Sequence, residues 1–264
     1  MSWKIALPMY NVSPRLRDGY ETLLAALMDQ AGLEGVGDVV RDVSLPAFWQ
    51  RPDLLFSQAC GYPYLNGLAG RTVLVATPCF DMPGCAGSDY ASAFVVRADS
   101  GIRTLADARG RVAAANDPHS NSGMNALRHA VAPLARAGHF FRQVTWSGSH
   151  ARSLRLVRAG EADIAAIDCV TYAYLVDEDP ALVAGLTVIG WSAPSPGLPL
   201  IAGGAVPPTW VRRLRAALLA PGERLQDAMA PLRIAAFRHV DDAAYARIAR
   251  LEAAARALGY PELA

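Results

Sequence analysis

The sequence predicts an α/β fold in which sheets of mostly parallel strands are covered by helices. Strand-like and helix-like segments alternate along most of the 264 residues, a length that suits one large domain or two smaller lobes. Several strand segments, such as TVLVAT and DIAAI, are apolar throughout, which is typical of strands buried on both faces. In such sheets ligands sit where strands end and loops lead into helices.

Each element follows from a local pattern of apolar residues and turn residues. A helix is predicted over 15–31, with Leu16, Tyr20 and Leu23 on one face and Gly32 as its stop. Further helices are predicted over 104–110, 123–137, 150–159, 207–219 and 241–258. Apolar runs that end in Pro, Gly or polar residues predict strands within 3–10, 38–44, 53–60, 72–80, 91–99, 111–116, 142–147, 162–168 and 185–193.

Composition excludes several classes of protein. The chain is 52% hydrophobic and 19% charged with a formal net charge of +1, so neither nucleic acid nor an anionic membrane is expected as a partner. No stretch reaches the ~18 apolar residues of a membrane span. The first residues lack a basic segment followed by an apolar run. As written, the chain is expected in the cytoplasm, or in the periplasm if a leader has been removed.

Four cysteines, at positions 60, 79, 85 and 169, show neither a CxxC motif nor zinc-ligand spacing. Two states stay open for them. A disulfide such as one between Cys60 and Cys85 fits an oxidising compartment, whereas buried thiols fit the cytoplasm.

The most informative stretch is ANDPHSNSGMNALRHAVAPLARAG, residues 115–138. Ser120, Asn121, Ser122 and Gly123 precede or begin an otherwise ordinary helix. The first N–H groups of a helix lack intrahelical partners and carry partial positive charge, and serine hydroxyls add donors. A single N-cap needs one hydroxyl, yet two are present, with a glycine that admits close approach of a ligand. The pattern predicts an anion site.

A second strand-to-helix junction, TWSGSHARSLRLVRAGEAD, has the same layout. His150 could donate a hydrogen bond to an anion at this helix entrance, although a surface histidine at a helix start is the more frequent situation. The strand-end rule also indicates Tyr10, residues 58–62 and the loops at 116–123 and 147–150.

These segments resemble a known family. DYASAFVVRADSGIRTLADARGRVAAANDPHSNSG, followed by WSGSHARSLRLVRAGEADIAAID, is similar to the phosphate/phosphite/phosphonate solute-binding proteins of ABC transporters. SQACGYPY and PGCAGSDYAS are also similar to parts of that family. The resemblance covers most of residues 58–168. It implies a type 2 periplasmic-binding-protein fold, in which two α/β lobes close over a ligand.

The resemblance also implies a ligand-binding set. The oxyanion would sit on the helix entrance, where phosphonate binders usually have Ser-Thr-Ser and this chain has Asn121 in the middle. Leu198 stands where such binders carry an acidic residue, which removes an acceptor and argues against aminophosphonate specificity. The full predicted set is Tyr10, Gln58, Tyr62, Tyr90, Ser120, Asn121, Ser122, Gly123, His150 and Asp168.

Two crossovers between lobes are expected near 90–95 and 189–194. Lobe one would then comprise 1–90 plus 195–264, and lobe two 91–190. The resemblance implies capture of a small oxyanion by hinge closure for ABC-type uptake, with an ABC permease as partner, a monomeric state and no cofactor or metal.

Two other classes of function are weighed against this one. An enzyme could use Cys60 as a nucleophile with His150 as base, but the chain has no GxSxG, HExxH or P-loop motif. Some thiamine-pyrimidine synthases resemble the same fold, yet their Cys/His-rich stretch is missing here. His119, His129 and His139 lie ten residues apart, on no common helical face. A cytoplasmic ligand sensor is the third possibility.

Overall fold

The computed structural model describes residues 2–264, which fall into two compact units. Unit one contains the chain up to Asp81, together with Ala86–Asp89 and Pro196–Tyr245. Unit two contains Met82–Cys85, Tyr90–Ser195 and Ala246–Ala264.

The secondary structure alternates as the sequence predicts. The strands are β1 (Trp3–Ala6), β2 (Gly37–Val39), β3 (Leu54–Gln58), β4 (Thr72–Phe80), β5 (Cys85–Ala86), β6 (Asp89–Tyr90), β7 (Ser92–Arg97), β8 (Val112–Ala115), β9 (Gln143–Trp146), β10 (Ile164–Asp168), β11 (Leu186–Trp191), β12 (Ser195–Pro196), β13 (Leu200–Gly203) and β14 (Ile234–Arg238). The α-helices are α1 (Pro14–Gln30), α2 (Leu45–Trp49), α3 (Gly61–Pro63), α4 (Ala126–Val131), α5 (His150–Ala159), α6 (Cys169–Glu178), α7 (Pro180–Val183), α8 (Pro208–Leu219), α9 (Glu223–Met229) and α10 (Asp242–Ala257).

Unit one is built on a six-stranded sheet in the order β14-β4-β13-β3-β1-β2. β1 pairs in parallel with both β2 and β3, whereas β13 runs antiparallel between β3 and β4, and β14 is antiparallel to β4. Four of the six strands therefore share one direction. Ser13 caps α1 by accepting a hydrogen bond from the Leu16 amide, and the apolar face of that helix is buried as its periodicity predicts.

Unit two contains a five-stranded sheet in the order β11-β7-β10-β8-β9. β8 pairs in parallel with β9 and β10, while β7 runs antiparallel between β10 and β11. All residues of β8 and β10 are buried, which explains why both segments are apolar except at the end of β10. α5 ends at Gly160, whose φ of 75° is the left-handed conformation that glycine adopts readily.

Three predicted elements differ from the structure. The helix expected over 104–110 is a 3₁₀ turn at Leu105–Ala108. The strand expected over 38–44 is limited to Gly37–Val39, because Asp42 adopts a left-handed φ of 53° and α2 follows soon after. The helix expected over 123–137 begins earlier, as a π-helical turn at Asn121–Asn125, continues as α4, and ends in a 3₁₀ turn at Ala132–Leu134.

The C-terminal segment also differs from the expected lobe limits, which placed all of 195–264 in lobe one. Residues from Ala246 onward group with unit two. The Phe140 and Phe141 amides both donate to the Ala264 carbonyl, and the Arg128 guanidinium donates to the Pro261 carbonyl at 2.8 Å. These partners lie more than 100 residues apart in sequence, so no local pattern could have revealed them. Within residues 2–264, no helix combines the length and the apolar character that a membrane crossing needs.

We expect Gly203→Ala to lower the free energy of unfolding by roughly 2 kcal/mol, because an added Cβ would lie 2.2 Å from the Leu54 carbonyl oxygen of the neighbouring strand. Gly190→Ala is the matched control, a strand glycine whose added Cβ would meet only Phe94 Cδ2 at 3.7 Å. Urea unfolding of both variants tests this. Equal stability of the two variants would contradict the packing described here.

Candidate functional site

The centre of the candidate site is the helix entrance that follows β8 in unit two. Ser120 is the N-cap, with an extended backbone, and its Oγ accepts a hydrogen bond from the Gly123 amide at 3.0 Å. Ser120, Asn121 and Ser122 are all at least 95% buried. The amides of the first turn have no acceptor within their own helix, so the entrance combines hydrogen-bond donors with the positive end of the helix dipole.

A second helix start meets this entrance through a side-chain contact. Ser149 caps α5 by accepting from the Arg152 amide, which places His150 at the first position of that helix. His150 Nε2 lies 3.0 Å from Ser122 Oγ, and Ser122 Oγ lies 3.5 Å from Ser120 Oγ. The two junctions that the sequence analysis selected are therefore adjacent in space.

His150 is neutral near pH 7, because burial lowers its pKa to about 4. A neutral imidazole donates from one ring nitrogen and accepts at the other. Nδ1 is buried and makes no hydrogen bond to any residue in the described part of the chain. If Nε2–H donates to Ser122 Oγ, the serine hydroxyl hydrogen is available to a ligand. In the other tautomer the Ser122 hydroxyl donates to Nε2, and Nδ1–H is the unpaired donor.

The side chain of Asn121 has a different role from the one predicted. Its Nδ2 donates to Tyr90 Oη at 3.1 Å and to Ser195 Oγ at 2.9 Å, while its Oδ1 accepts from Asn125 Nδ2 at 3.0 Å. These partners are all buried. The side chains of Asn121 and Tyr90, both predicted to contact the ligand, are thus bonded to each other. Asn121 fixes the entrance through its side chain and contributes to it through its backbone.

The network behind Asn121 extends to the C-terminal segment. Asn125 Nδ2 also donates to the Ile248 carbonyl, and Arg128 Nη2 donates to Asn125 Oδ1 at 2.7 Å. Arg128 is only 4% exposed, and Glu252 lies 3.6 Å from its guanidinium. A buried charge is tolerated when it is paired and hydrogen-bonded, and such a network holds its members in one arrangement. The network of Asn125, Arg128 and the C-terminal segment therefore fixes the position of the helix entrance.

Gly123 is also used differently from the expectation. Its amide is taken by Ser120, and a Cβ added to it would lie 1.7 Å from Asn116 Oδ1. The space that the sequence analysis assigned to an approaching ligand is filled by Asn116. Asn116 Oδ1 is itself buried and, among the described residues, has no hydrogen-bond partner. Gly123 is thus needed for close packing of Asn116 against the helix.

Asp168 ends β10 and caps α6. Its Oδ1 accepts hydrogen bonds from the Val170 amide at 2.9 Å and the Thr171 amide at 3.0 Å. The side chain is 98% buried. A capping carboxylate of this kind stabilises a helix start. The ligand contact expected of Asp168 stays a prediction, whereas its structural role is evident.

In unit one, Tyr10 follows the end of β1 and is buried within an aromatic cluster. Its ring stacks on Tyr20, with centroids 6.3 Å apart, and meets Phe80 edge-on at 5.5 Å. The ring is 2% exposed. Tyr10 therefore contributes to the core of this unit.

Gln58 and Tyr62, the other predicted residues of unit one, lie at the end of β3 and in α3. Gln58 is buried, and its Nε2 donates to the Leu198 backbone carbonyl at 3.2 Å. The backbone carbonyl of Gln58 accepts a hydrogen bond from Trp49 Nε1. Leu198 is buried as well, so an apolar side chain occupies the position where the resemblance implies an acidic one. Tyr62 is half-buried, and its carbonyl accepts from Asn66.

Asn125 and Ser195 also belong to this arrangement and were not predicted from the sequence, whereas Asn116 was indicated only as the first residue of the 116–123 loop. Asn116 carries a signal, since it is the polar residue directly after the apolar strand β8. Asn125 and Ser195 carry none, because each bonds to Asn121 from a helix interior or from a distant strand. Across residues 2–264, no group of three or more His, Cys, Asp or Glu side chains is placed to hold a metal ion.

Two α/β units, with polar helix entrances at strand ends of unit two, fit the type 2 periplasmic-binding-protein fold, and solved structures share this fold. A binding protein component of an ABC phosphonate transporter from Pseudomonas aeruginosa aligns with a TM-score of 0.80 at 18% identity, over 98% of this chain and 87% of that one. PhnD1 from Prochlorococcus marinus, in complex with methylphosphonate, aligns with a TM-score of 0.79 at 14% identity, over 98% of each chain. XAC2383 from Xanthomonas citri, bound to chloride, gives 0.70 at 17% identity, again over 98% of each.

The family model described as "ABC transporter, phosphonate, periplasmic substrate-binding protein" matches residues 6–245. The chain belongs to this family, which confirms the resemblance drawn from its motifs. A comparison with curated protein sequences gives no match.

Gly123→Ala should lower the free energy of unfolding by about 1–3 kcal/mol, because the new Cβ overlaps Asn116 Oδ1. Truncating Asn116 to Ala in the same chain should remove most of that loss. A double-mutant cycle on urea unfolding measures the coupling. Additive effects of the two substitutions would show that the close contact is wrong.

The folded pKa of His150 lies below its unfolded value of about 6.5, so its contribution to stability is complete above that value and is lost as the pH falls. We expect a loss of about 2 kcal/mol between about pH 7.5 and pH 5. His150→Gln should remove this part of the slope. His129, whose pKa burial also lowers, serves as the comparison through His129→Gln. An unchanged slope in His150→Gln would contradict the neutral, buried imidazole.

Proposed function

We propose that the chain is a solute-binding protein that captures a small oxyanion of the phosphonate, phosphite or phosphate type at the helix entrance formed by residues 120–123. The observation that carries the proposal is the contact between Ser122 Oγ and His150 Nε2, at the meeting point of two helix starts. A further polar atom at this entrance, His150 Nδ1, is buried and makes no hydrogen bond within residues 2–264. Buried polar atoms without partners are rare in folded proteins and are typical of a site that a ligand or water completes.

The donors at this entrance are electrically neutral. Backbone amides can donate to an oxyanion without a counter-ion, as they do at helix N-termini that bind phosphate. According to the tautomer of His150, either the Ser122 hydroxyl or His150 Nδ1–H adds one more neutral donor. Arg128, a buried cation of the same unit, donates from its two terminal nitrogens to Asn125 and Pro261 and lies 3.6 Å from Glu252, while its Nε makes no hydrogen bond among the described residues. An anion bound here would be held by directed hydrogen bonds, which distinguish the geometry of its oxygen atoms.

Binding by hinge closure is part of the proposal. The two compact units would act as the lobes, with crossovers near 90–95 and 189–194 as hinges. Family membership supports a periplasmic site of action and delivery to an ABC permease.

The Ser122–His150 pair resembles a nucleophile and its base, but two features of His150 argue against hydrolysis. A catalytic histidine is oriented by a third group on its other ring nitrogen, and His150 Nδ1 has no such partner among the described residues. A histidine with a pKa of about 4 is also a weak base near neutral pH. We therefore favour binding without turnover.

The test is a calorimetric titration after a thermal-shift screen of phosphate, phosphite, methylphosphonate, aminoethylphosphonate, sulfate and small carboxylates. Ser122→Ala and His150→Ala should each weaken the best ligand by roughly 10- to 100-fold, because one of the two side chains donates to the anion and the other holds that donor in position. Ser13→Ala, which removes a capping hydroxyl from α1 in unit one, is the matched control and should bind as the unmodified chain does.

Two results would overturn the proposal. Equal affinity in Ser122→Ala, His150→Ala and Ser13→Ala would exclude the helix entrance as the site. Steady release of product from a phosphonate or phosphate ester, abolished in Ser122→Ala, would make the chain an enzyme.

A further inference from the structure

Two cysteines that the ligand site does not use lie side by side in unit two. Cys85 Sγ is 3.4 Å from Cys169 Sγ, although the residues are 84 positions apart in sequence. Cys85 is half-buried and Cys169 is buried, and both are thiols in this structure. The sequence left open a disulfide between Cys60 and Cys85, whereas in the structure the thiol next to Cys85 is that of Cys169.

Backbone contacts, rather than flexible side chains, set this proximity. The Ala91 amide donates to the Gly84 carbonyl at 2.8 Å, and the Cys169 amide donates to the Ala91 carbonyl at 3.1 Å. Gly84 has a φ of +88°, and a Cβ added to it would lie 2.8 Å from Cys169 Cβ. The segment that carries Cys85 is therefore held directly against the start of α6.

The sulfur atoms are close enough for a covalent bond after a small movement. A disulfide has an S–S length of about 2.05 Å, so the two atoms must approach by roughly 1.4 Å, which side-chain rotation supplies without separating the backbone segments. Only one of the pair is open to an external reagent, since Cys169 is 1% exposed. Its hydrogen bond with Cys85 and its burial also raise the pKa of the Cys169 thiol.

We propose that Cys85 and Cys169 are a disulfide-forming pair, which closes in an oxidising compartment by exchange with a protein or small-molecule disulfide. The Cys85 thiolate attacks one sulfur of the incoming disulfide RS–SR, which releases the first RSH and leaves a mixed disulfide on Cys85. Cys169 then attacks Cys85 Sγ and releases the second RSH. The two cysteines together lose two electrons and two protons, which the incoming disulfide takes up.

The bond would fasten Met82–Cys85, a short segment of unit two that is flanked on both sides by chain belonging to unit one. It would attach that segment to Cys169, the first residue of α6, which directly follows the capping residue Asp168. Closing a loop of this length removes much conformational freedom from the unfolded chain. The consequence is a more stable unit two and a fixed start for the first crossover, independent of any ligand.

The experiment uses the full chain, reduced, then incubated with oxidised glutathione and alkylated under denaturing conditions. Mass spectrometry should find two alkylated cysteines instead of four, and a digest should contain the peptide that links Cys85 to Cys169. The thermal midpoint of the oxidised protein should rise by roughly 10 °C over the reduced form. A variant with Cys60→Ser and Cys79→Ser together should show the same linked peptide and the same rise.

Cys85→Ser is the variant that tests the pair, since its half-buried position tolerates the change. It should fold with the reduced protein's midpoint and gain nothing from oxidant. Four alkylated cysteines in the oxidant-treated chain, a peptide that links Cys85 to Cys60 or Cys79, or an equal rise in Cys85→Ser would each overturn the proposal.

Discussion

The structure of unit two depends on one constraint: the start of a buried helix leaves amides that its own turns cannot satisfy. A buried amide without a partner costs about as much free energy as a lost hydrogen bond. The chain meets part of this demand with Ser120, whose Oγ takes the Gly123 amide. At the same entrance Ser122 Oγ contacts Nε2 of His150, which begins the next helix. The anion site proposed above would consist of donors that the helix itself leaves unsatisfied.

The helix entrance keeps its shape because a network of buried side chains holds Asn121 and Asn125 in place. Asn121 is turned inward by Tyr90 and Ser195, and Arg128 holds Asn125 against it. A network that is satisfied at each of these contacts leaves one low-energy arrangement. Removing Arg128 would leave Asn125 Oδ1 and the Pro261 carbonyl without the donor they have here. The charged guanidinium of Arg128 therefore stabilises an arrangement of neutral groups. Its role is positional, since its hydrogen bonds go to Asn125 Oδ1 and the Pro261 carbonyl.

Burial gives His150 its chemical character. Transfer of a charged imidazole out of water is unfavourable, so the protein holds the neutral form and gains a group that donates from one nitrogen only. Donors of this kind discriminate by geometry, whereas a lysine or arginine would attract any anion over a longer range. The same burial makes His150 a poor proton acceptor. One physical cause therefore favours recognition and disfavours hydrolysis.

The sequence by itself determined the elements whose signals are local. The spacing of apolar residues and the stops at Gly32 and Gly160 predicted α1 and α5 within a residue or two, because helix periodicity relates side chains three and four positions apart. The same is true of β4, an apolar run bounded by turn residues. The sequence motifs also indicated both helix entrances and the family.

Tertiary structure decided where the side chains at those entrances point. Whether Asn121 faces a ligand or the interior depends on Ser195, 74 positions away, and the space above Gly123 belongs to Asn116. The partner of Cys85 and the attachment of the C-terminal segment to unit two were likewise beyond local patterns. Such contacts form only when distant segments pack together, and no periodicity along the chain encodes the direction in which a polar side chain then finds its partner.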